Sequence, residues 1–309
     1  MRPAWSILLF TTLSGTAQGL LLALAVASWL MPLDTGFALA AIALAEVLLV
    51  GGLLASFFHL GQKARAWRAA AMWRTSWMSR EVIVLPLLMG LVALWWLGLY
   101  LGASTLALQA LSAAVVVVTL ALWVCTAMIY ACLRFLQEWA HPLTVINFTL
   151  LGMSSGSVLL CALASAMGQT ALLAWLQPWV LASTLLAWFL RRLALRRNAR
   201  LSPHSSLQSA TGIRNPQLVQ KSMGMSAGSF NTREFFHGAS AAALRHVRWG
   251  FQMLAFGLPV LLMGWGLVNA GAWPWLLAAL LQAPGLLAER WLFFAQAKHP
   301  QNLYYQTVS

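Results

Sequence analysis

His59 and Glu81 are the two residues whose types and placing carry the most chemistry. His59 closes an apolar run in Ala55-Ser56-Phe57-Phe58-His59-Leu60-Gly61, and Glu81 opens the next run after Ser79-Arg80. The connection between them carries Lys63, Arg65, Arg68, Arg74 and Arg80, so both residues face one side of whatever the two runs cross. An imidazole titrates near neutral pH. Beside a carboxylate it suits quinol oxidation or quinone reduction, where each ring oxygen needs a group that takes or gives a proton as electrons move. The alternative is structural: His59 snorkels to an interface, and Glu81 caps a helix N-terminus against its dipole.

Other ionisable residues inside apolar runs are few. Glu46 lies near the middle of the second run, where an unpaired carboxylate is costly, so it is either protonated and hydrogen-bonded or a member of a proton path. Adjacent Glu289 and Arg290 sit inside the last run, either as a structural ion pair or lining the same pocket as His59. Tyr130 has a hydroxyl to offer a quinone, although a buried tyrosine is commonly satisfied by a backbone carbonyl.

The elements that position these groups follow from composition. The chain of 309 residues is 61% hydrophobic and 8% charged, which excludes an ordinary water-soluble globule. Crossing a hydrocarbon core of roughly 30 Å takes about 20 helical residues. Eight segments are long enough: Trp5–Met31, Phe37–Leu60, Glu81–Leu101, Leu106–Leu133, Leu143–Met167, Ala171–Leu190, Val247–Val268 and Trp273–Ala297. β-Branched stretches such as Ala113–Val118 still read as helix, because an isolated strand in lipid leaves its amides unpaired. The expected fold is an all-α polytopic membrane protein of eight transmembrane helices, arranged as two four-helix bundles.

The connections after the first, third, fifth and seventh spans are short and hold no Lys or Arg. The second, fourth and sixth connections hold 5, 1 and 10 basic residues, counting Arg248 at the start of the seventh span, the N-terminus 1 and the C-terminal end 2, counting Arg290 near the end of the last span, which accounts for all 19. The positive-inside rule makes that side cytoplasmic, with both termini inside, in a bacterial inner membrane. The net charge of +13 is therefore a topology signal, and no nucleic acid is expected as partner. Trp67, Trp73, Trp77, Trp139, Trp249 and Trp273 fit interfacial belts.

Three regions result: residues 1–190 with six spans, a soluble segment over 191–246, and residues 247–309 with two spans and a tail. Within the soluble segment, 191–210 reads as a basic linker, and 211–238 has the texture of an ordered docking surface. Lys63, Arg68, Arg74, Arg214, Lys221 and Arg233 would orient a soluble partner there, with Phe230, Phe235 and Phe236 as anchors, since aromatic residues dominate interface energy. The competing reading gives these cations only topology and lipid binding.

Cys125, Cys132 and Cys161 lie in apolar runs without a CxxC spacing, so no disulfide framework or cysteine-ligated cluster is expected. Histidines deep in facing spans are lacking, which argues against a bis-His haem, and no metal is expected in this chain. Walker A, HExxH, GxSxG and Rossmann patterns are absent from the sequence. A transporter is the other function class that eight helices and intramembrane carboxylates permit, although matching breaks in two halves are not evident.

The run Ala-Ser-Phe-Phe-His-Leu-Gly at 55–61, then Arg65-Ala66-Trp67, then Ser79-Arg80-Glu81 resembles the membrane anchor of anaerobic dimethyl sulfoxide reductase, the DmsC family. The likeness extends over most of the chain as an eight-helix pattern. It implies quinol-binding roles for His59 and Glu81, with Arg65 beside them, and a menaquinone or ubiquinone as the redox partner. The segment Gly-Ser-Phe-Asn-Thr-Arg-Glu-Phe-Phe-His-Gly at 228–238, the N-terminal and C-terminal stretches and the cytoplasmic charge bias are more similar to anchors of cytoplasmic membrane-bound sulfite dehydrogenase, the SoeC type. That resemblance implies two partners, a molybdopterin catalytic subunit and a subunit with four iron–sulfur clusters. Their cofactors exchange electrons with the quinone pool, giving them to quinone in sulfite oxidation or, alternatively, taking them from quinol in a dimethyl sulfoxide reductase-type terminal reductase.

Overall fold

The computed structural model describes residues 2–58, 62–219, 221, 237–269, 271–300 and 302. Among them eight helices are long and apolar enough to cross a bilayer: α1 Trp5–Leu30, α2 Thr35–Phe57, α3 Trp77–Tyr100, α4 Thr105–Ala131, α5 Pro142–Ala166, α6 Thr170–Asn198, α7 Ala241–Val268 and α8 Trp273–Ala295. No strand occurs among the described residues.

Helix starts are set by caps more than by the first apolar residue. The Asp34 carboxylate accepts the Phe37 amide at 2.7 Å, and Ser76, Ser104 and Ser240 accept amides three residues on. As a result α3 begins at Trp77 rather than Glu81, and α7 at Ala241 rather than Val247. α6 runs on to Asn198, past the expected end at Leu190, because Arg191 and Ala194 on that extra length face the protein interior.

α1 packs on α2 and α4, and α3 on α2 and α4, while α5 packs on α6 and α8, and α7 on α6 and α8. These are two four-helix groups, as the sequence leads one to expect. They join along α1 and α5, where Gly15, Gly19, Gly152 and Gly156 let the backbones touch. A Cβ on Gly19 would overlap the Gly152 carbonyl, and one on Gly156 would overlap the Leu20 amide. A side chain at Gly19, Gly152 or Gly156 forces the two groups apart.

Inside α7, residues Met253–Gly257 form a π-helical turn just before Pro259. Proline has no N–H to give, so the carbonyl four residues earlier loses its helical donor. Gln282 of α8 supplies the replacement: its Nε2 donates to Ala255 O at 3.1 Å and to the Ser154 hydroxyl at 3.0 Å.

Contacts at the helix ends define two faces. Leu8 near the start of α1 clusters with Leu136, Trp139, Phe293, Phe294 and Ala297, and Arg197 at the end of α6 donates both Nη groups to Gln137 O at 3.1 Å. The connections rich in Lys and Arg therefore share one end of the molecule, the basic face. At the other end the Trp29 indole donates to Ser112 Oγ at 2.8 Å, and the Ser165 hydroxyl reaches Gly271 O. Trp139 departs from the interfacial-belt expectation: it is buried, with its indole donating to Phe293 O at 3.1 Å.

Candidate functional site

Glu81 lies in the second turn of α3, near the basic face, and is 8% exposed. The capping role belongs to Ser76, whose hydroxyl accepts the Ser79 amide at 3.4 Å, so the carboxylate is free for another use. Its Oε1 accepts a hydrogen bond from the Thr126 hydroxyl of α4. Burying a carboxyl group is expensive without partners, and here the Thr126 hydroxyl is the partner.

Tyr130 follows Thr126 by one helical turn and lies within electrostatic reach of both Glu81 and Arg290. Its ring sits in an aromatic cluster: stacked on Phe148 at 5.6 Å, and edge-on to Trp139, Phe293 and Phe294 at 5.3 to 5.6 Å. Beyond Phe148 lies the Arg290 guanidinium, 3.8 Å from the ring centroid. Such a contact is favourable for a desolvated cation. Glu289 then joins the two halves of an ion triad, with Oε1 2.6 Å from Arg191 Nε and Oε2 3.6 Å from Arg290 Nη1. All three members are under 5% exposed.

The structure thus brings Glu81, Tyr130, Glu289 and Arg290 into one row near the basic face. Thr126 and Arg191 complete it, and neither is among the residues singled out from sequence. A faint signal exists for Thr126: Ser112, Thr119 and Thr126 recur every seven residues, on one buried face of α4. Arg191 gives none, since its partner is nearly a hundred positions away.

At the outer end of this row a narrow cleft is lined by Glu138, His141, Asn147, Arg191, Arg197 and Glu289, among others. His141 caps α5, its Nδ1 accepting the Leu143 amide at 3.1 Å. Burial, helped by the Arg197 guanidinium, holds the imidazole below its ordinary range, so it is neutral at pH 7.

The other expected residues are placed differently. Glu46 is half-buried midway along α2, and its Oε2 has no hydrogen-bond partner among the described residues. His59, Phe230, Arg233, Phe235 and Phe236 lie outside the described residues. Lys63, Arg65, Arg68 and Arg74 are exposed on the α2–α3 connection, which opens with a 3-10 helix over Lys63–Ala70. Lys63 lies over Phe58, Arg68 over Trp67 and Arg74 over Trp73, each at 5.4 to 5.5 Å. Arg80 ties the connection to α3, donating to the Trp73 and Arg74 carbonyls at 2.9 and 2.8 Å. Arg214 and Lys221 are exposed. Among the described residues no group of three His, Cys, Asp or Glu is placed to hold a metal.

Comparison with known proteins agrees with this architecture. The chain is 48% identical over 330 aligned positions to a sulfite dehydrogenase subunit of Allochromatium vinosum, with 100% of both chains covered. The model of the DMSO reductase anchor subunit family, DmsC, matches residues 1–231, which hold α1 to α6 together with Glu81, Thr126, Tyr130 and Arg191. The chain belongs to the DMSO reductase anchor subunit (DmsC) family.

Proposed function

We propose that this chain is the quinone-interacting membrane anchor of a molybdenum and iron–sulfur oxidoreductase, and that its basic face is cytoplasmic. The observation that carries the reading is the buried Glu81 carboxylate, bonded to Thr126 and facing Tyr130 at the basic end of the first bundle, in a chain of the anchor family. The full-length likeness to a sulfite dehydrogenase subunit supports sulfite oxidation as the reaction of the catalytic partner.

The groups present fit a quinone head. A bound quinone supplies two-electron, two-proton redox chemistry. Glu81 holds or releases a proton at its carboxylate, Thr126 fixes that carboxylate by donating to Oε1, and the aromatic layer around Tyr130 keeps bulk water out. His59, next after Phe58 in the sequence, is the second proton-active group, and Arg65 is the cation that biases the site toward negative charge. Glu46, at mid-span, is kept as a proton-path candidate.

Electrons enter from a four-cluster iron–sulfur subunit seated on the α2–α3 connection and on the segment between α6 and α7, where Lys63, Arg68, Arg74, Arg214, Lys221, Phe230, Arg233, Phe235 and Phe236 form the platform. Lys63, Arg68 and Arg74 against exposed aromatic faces give it both charge and apolar surface. Two measurements test this arrangement. A reporter active only in the periplasm is expected to be silent after Ser309 and active near Asp34; the reverse overturns the sidedness. Deleting Gly212–Gly238 is expected to release the iron–sulfur subunit from membranes while the anchor stays inserted at normal abundance. Full retention of the iron–sulfur protein on the membrane contradicts the platform.

A further inference from the structure

The basic end of the groove between α6 and α7 gathers cations that no acid among the described residues answers. α6 has 29 residues and α7 28, so each outruns a hydrocarbon core of roughly 30 Å. About 20 residues from the far ends, Thr170 and Val268, the hydrocarbon boundary falls near Leu190 and Trp249. Arg192 and Arg196 on α6 and Arg245 and Arg248 on α7 therefore stand at the level of lipid headgroups, and all four are exposed.

Contacts between the helices bring the two pairs to one groove. Trp188 of α6 stacks on Phe256 of α7 with ring centroids 6.0 Å apart, the Arg191 guanidinium lies 5.9 Å from the Phe251 ring centroid, and Leu195 packs in the same cluster as Leu244 and Val247. Arg192 follows Trp188 by one turn and lies over its ring at 5.7 Å, and Arg248 precedes Phe251 by three residues, so each flanks this contact. Arg196 and Arg245 continue the same faces one turn further out. The ion pairs among the described residues all belong to Glu289 and reach Arg191 and Arg290 alone. Four like charges at one level repel one another until an anion sits between them.

What lies below the cations selects that anion. Toward mid-span, Leu185, Leu186 and Phe189 of α6 and Trp249 and Met253 of α7 are exposed and make an apolar bed. α6 packs on α5 and α7, and α7 on α6 and α8, which leaves this groove on the bilayer perimeter. A soluble acidic protein matches the charges and not the bed, and a free phosphate leaves the bed bare. A phospholipid with a net negative headgroup satisfies both.

We propose that the groove between α6 and α7 binds an anionic phospholipid, its phosphate held by Arg192, Arg196, Arg245 and Arg248 and its acyl chains laid on the apolar bed. Guanidinium forks pair bidentately with phosphate oxygens, which suits arginine to this task. The bound lipid neutralises the groove and ties the basic ends of α6 and α7 together.

Native mass spectrometry of the assembled complex, released from nanodiscs holding phosphatidylglycerol and phosphatidylcholine of matched chains, tests the site. Wild type is expected to retain phosphatidylglycerol in preference to phosphatidylcholine. Arg192→Gln combined with Arg248→Gln is expected to weaken phosphatidylglycerol binding about thirtyfold, the worth of two cations at a lipid surface. Arg192→Lys with Arg248→Lys, which keeps the charge, is expected to recover most of that loss. Arg2→Gln with Arg134→Gln removes the same charge elsewhere on the basic face and is expected to bind as wild type does. Should the paired glutamine variant fail to assemble, each single glutamine variant is expected to weaken binding about fivefold. Equal retention of the two lipids by wild type, or unchanged phosphatidylglycerol binding in the Arg192 and Arg248 variants, overturns the site. An equal loss in the Arg2 and Arg134 pair reduces the effect to diffuse surface charge and also overturns it. Release of a soluble subunit from the Arg192 and Arg248 pair, with lipid retention unchanged, assigns these cations to a protein partner and overturns it as well.

Discussion

Replacing Glu81 by Gln is expected to lower the ratio of quinone-linked to dye-linked turnover in the assembled complex by about two orders of magnitude, the usual worth of a positioned acid–base group. The substitution is nearly isosteric, and the amide still accepts the Thr126 hydroxyl through its carbonyl oxygen, so the packing of α3 on α4 is retained. What is lost is the capacity to exchange a proton. The dye takes electrons directly from the soluble subunits and so reports assembly independently of quinone. His59→Arg is expected to move the ratio in the same direction. A ratio equal to wild type in both variants shows that the pair is structural.

The second large effect is on stability. Glu289→Met leaves the Arg191 and Arg290 guanidiniums, 3% and 4% exposed, without a counter-charge in the second bundle. Breaking a buried pair by removing one partner costs about 3–5 kcal/mol. Adding Arg191→Met is expected to recover a large part of that loss, since only Arg290 then remains, resting over Phe148. Thermal unfolding of the detergent-solubilised anchor, followed by tryptophan fluorescence, measures both. Losses that simply add in the double variant contradict a coupled ion triad.

The sequence shows the eight spans clearly because hydrocarbon imposes long uninterrupted apolar runs, and it shows the basic face because most Lys and Arg lie in or beside alternate connections. Boundaries are less legible. Trp77–Arg80 reads as connection until Ser76 is recognised as the α3 cap, and Arg191 reads as a loop cation because nothing local reveals that α6 continues and turns it inward onto Glu289. Trp139 misleads for a related reason: a tryptophan near a span end is commonly interfacial, yet here the α4–α5 connection folds under α8 and buries it. The site follows the same division. Glu81, Tyr130, Glu289 and Arg290 stand out as polar residues in apolar runs, while Thr126 is an ordinary residue type whose importance comes only from what it faces across helices. Hydropathy carries the first kind of information and is blind to the second.

The most direct test of the central claim is where a quinone binds. A photoactivatable azidoquinone, illuminated in native membranes holding the assembled complex, is expected to label peptides from the start of α3 and the end of α4, around Glu81 and Thr126–Tyr130. Excess unmodified quinone should compete the label away, and Glu81→Gln should weaken it. Competable label confined to a partner protein, or to this chain far from α3 and α4, contradicts the assignment of the quinone site to this anchor.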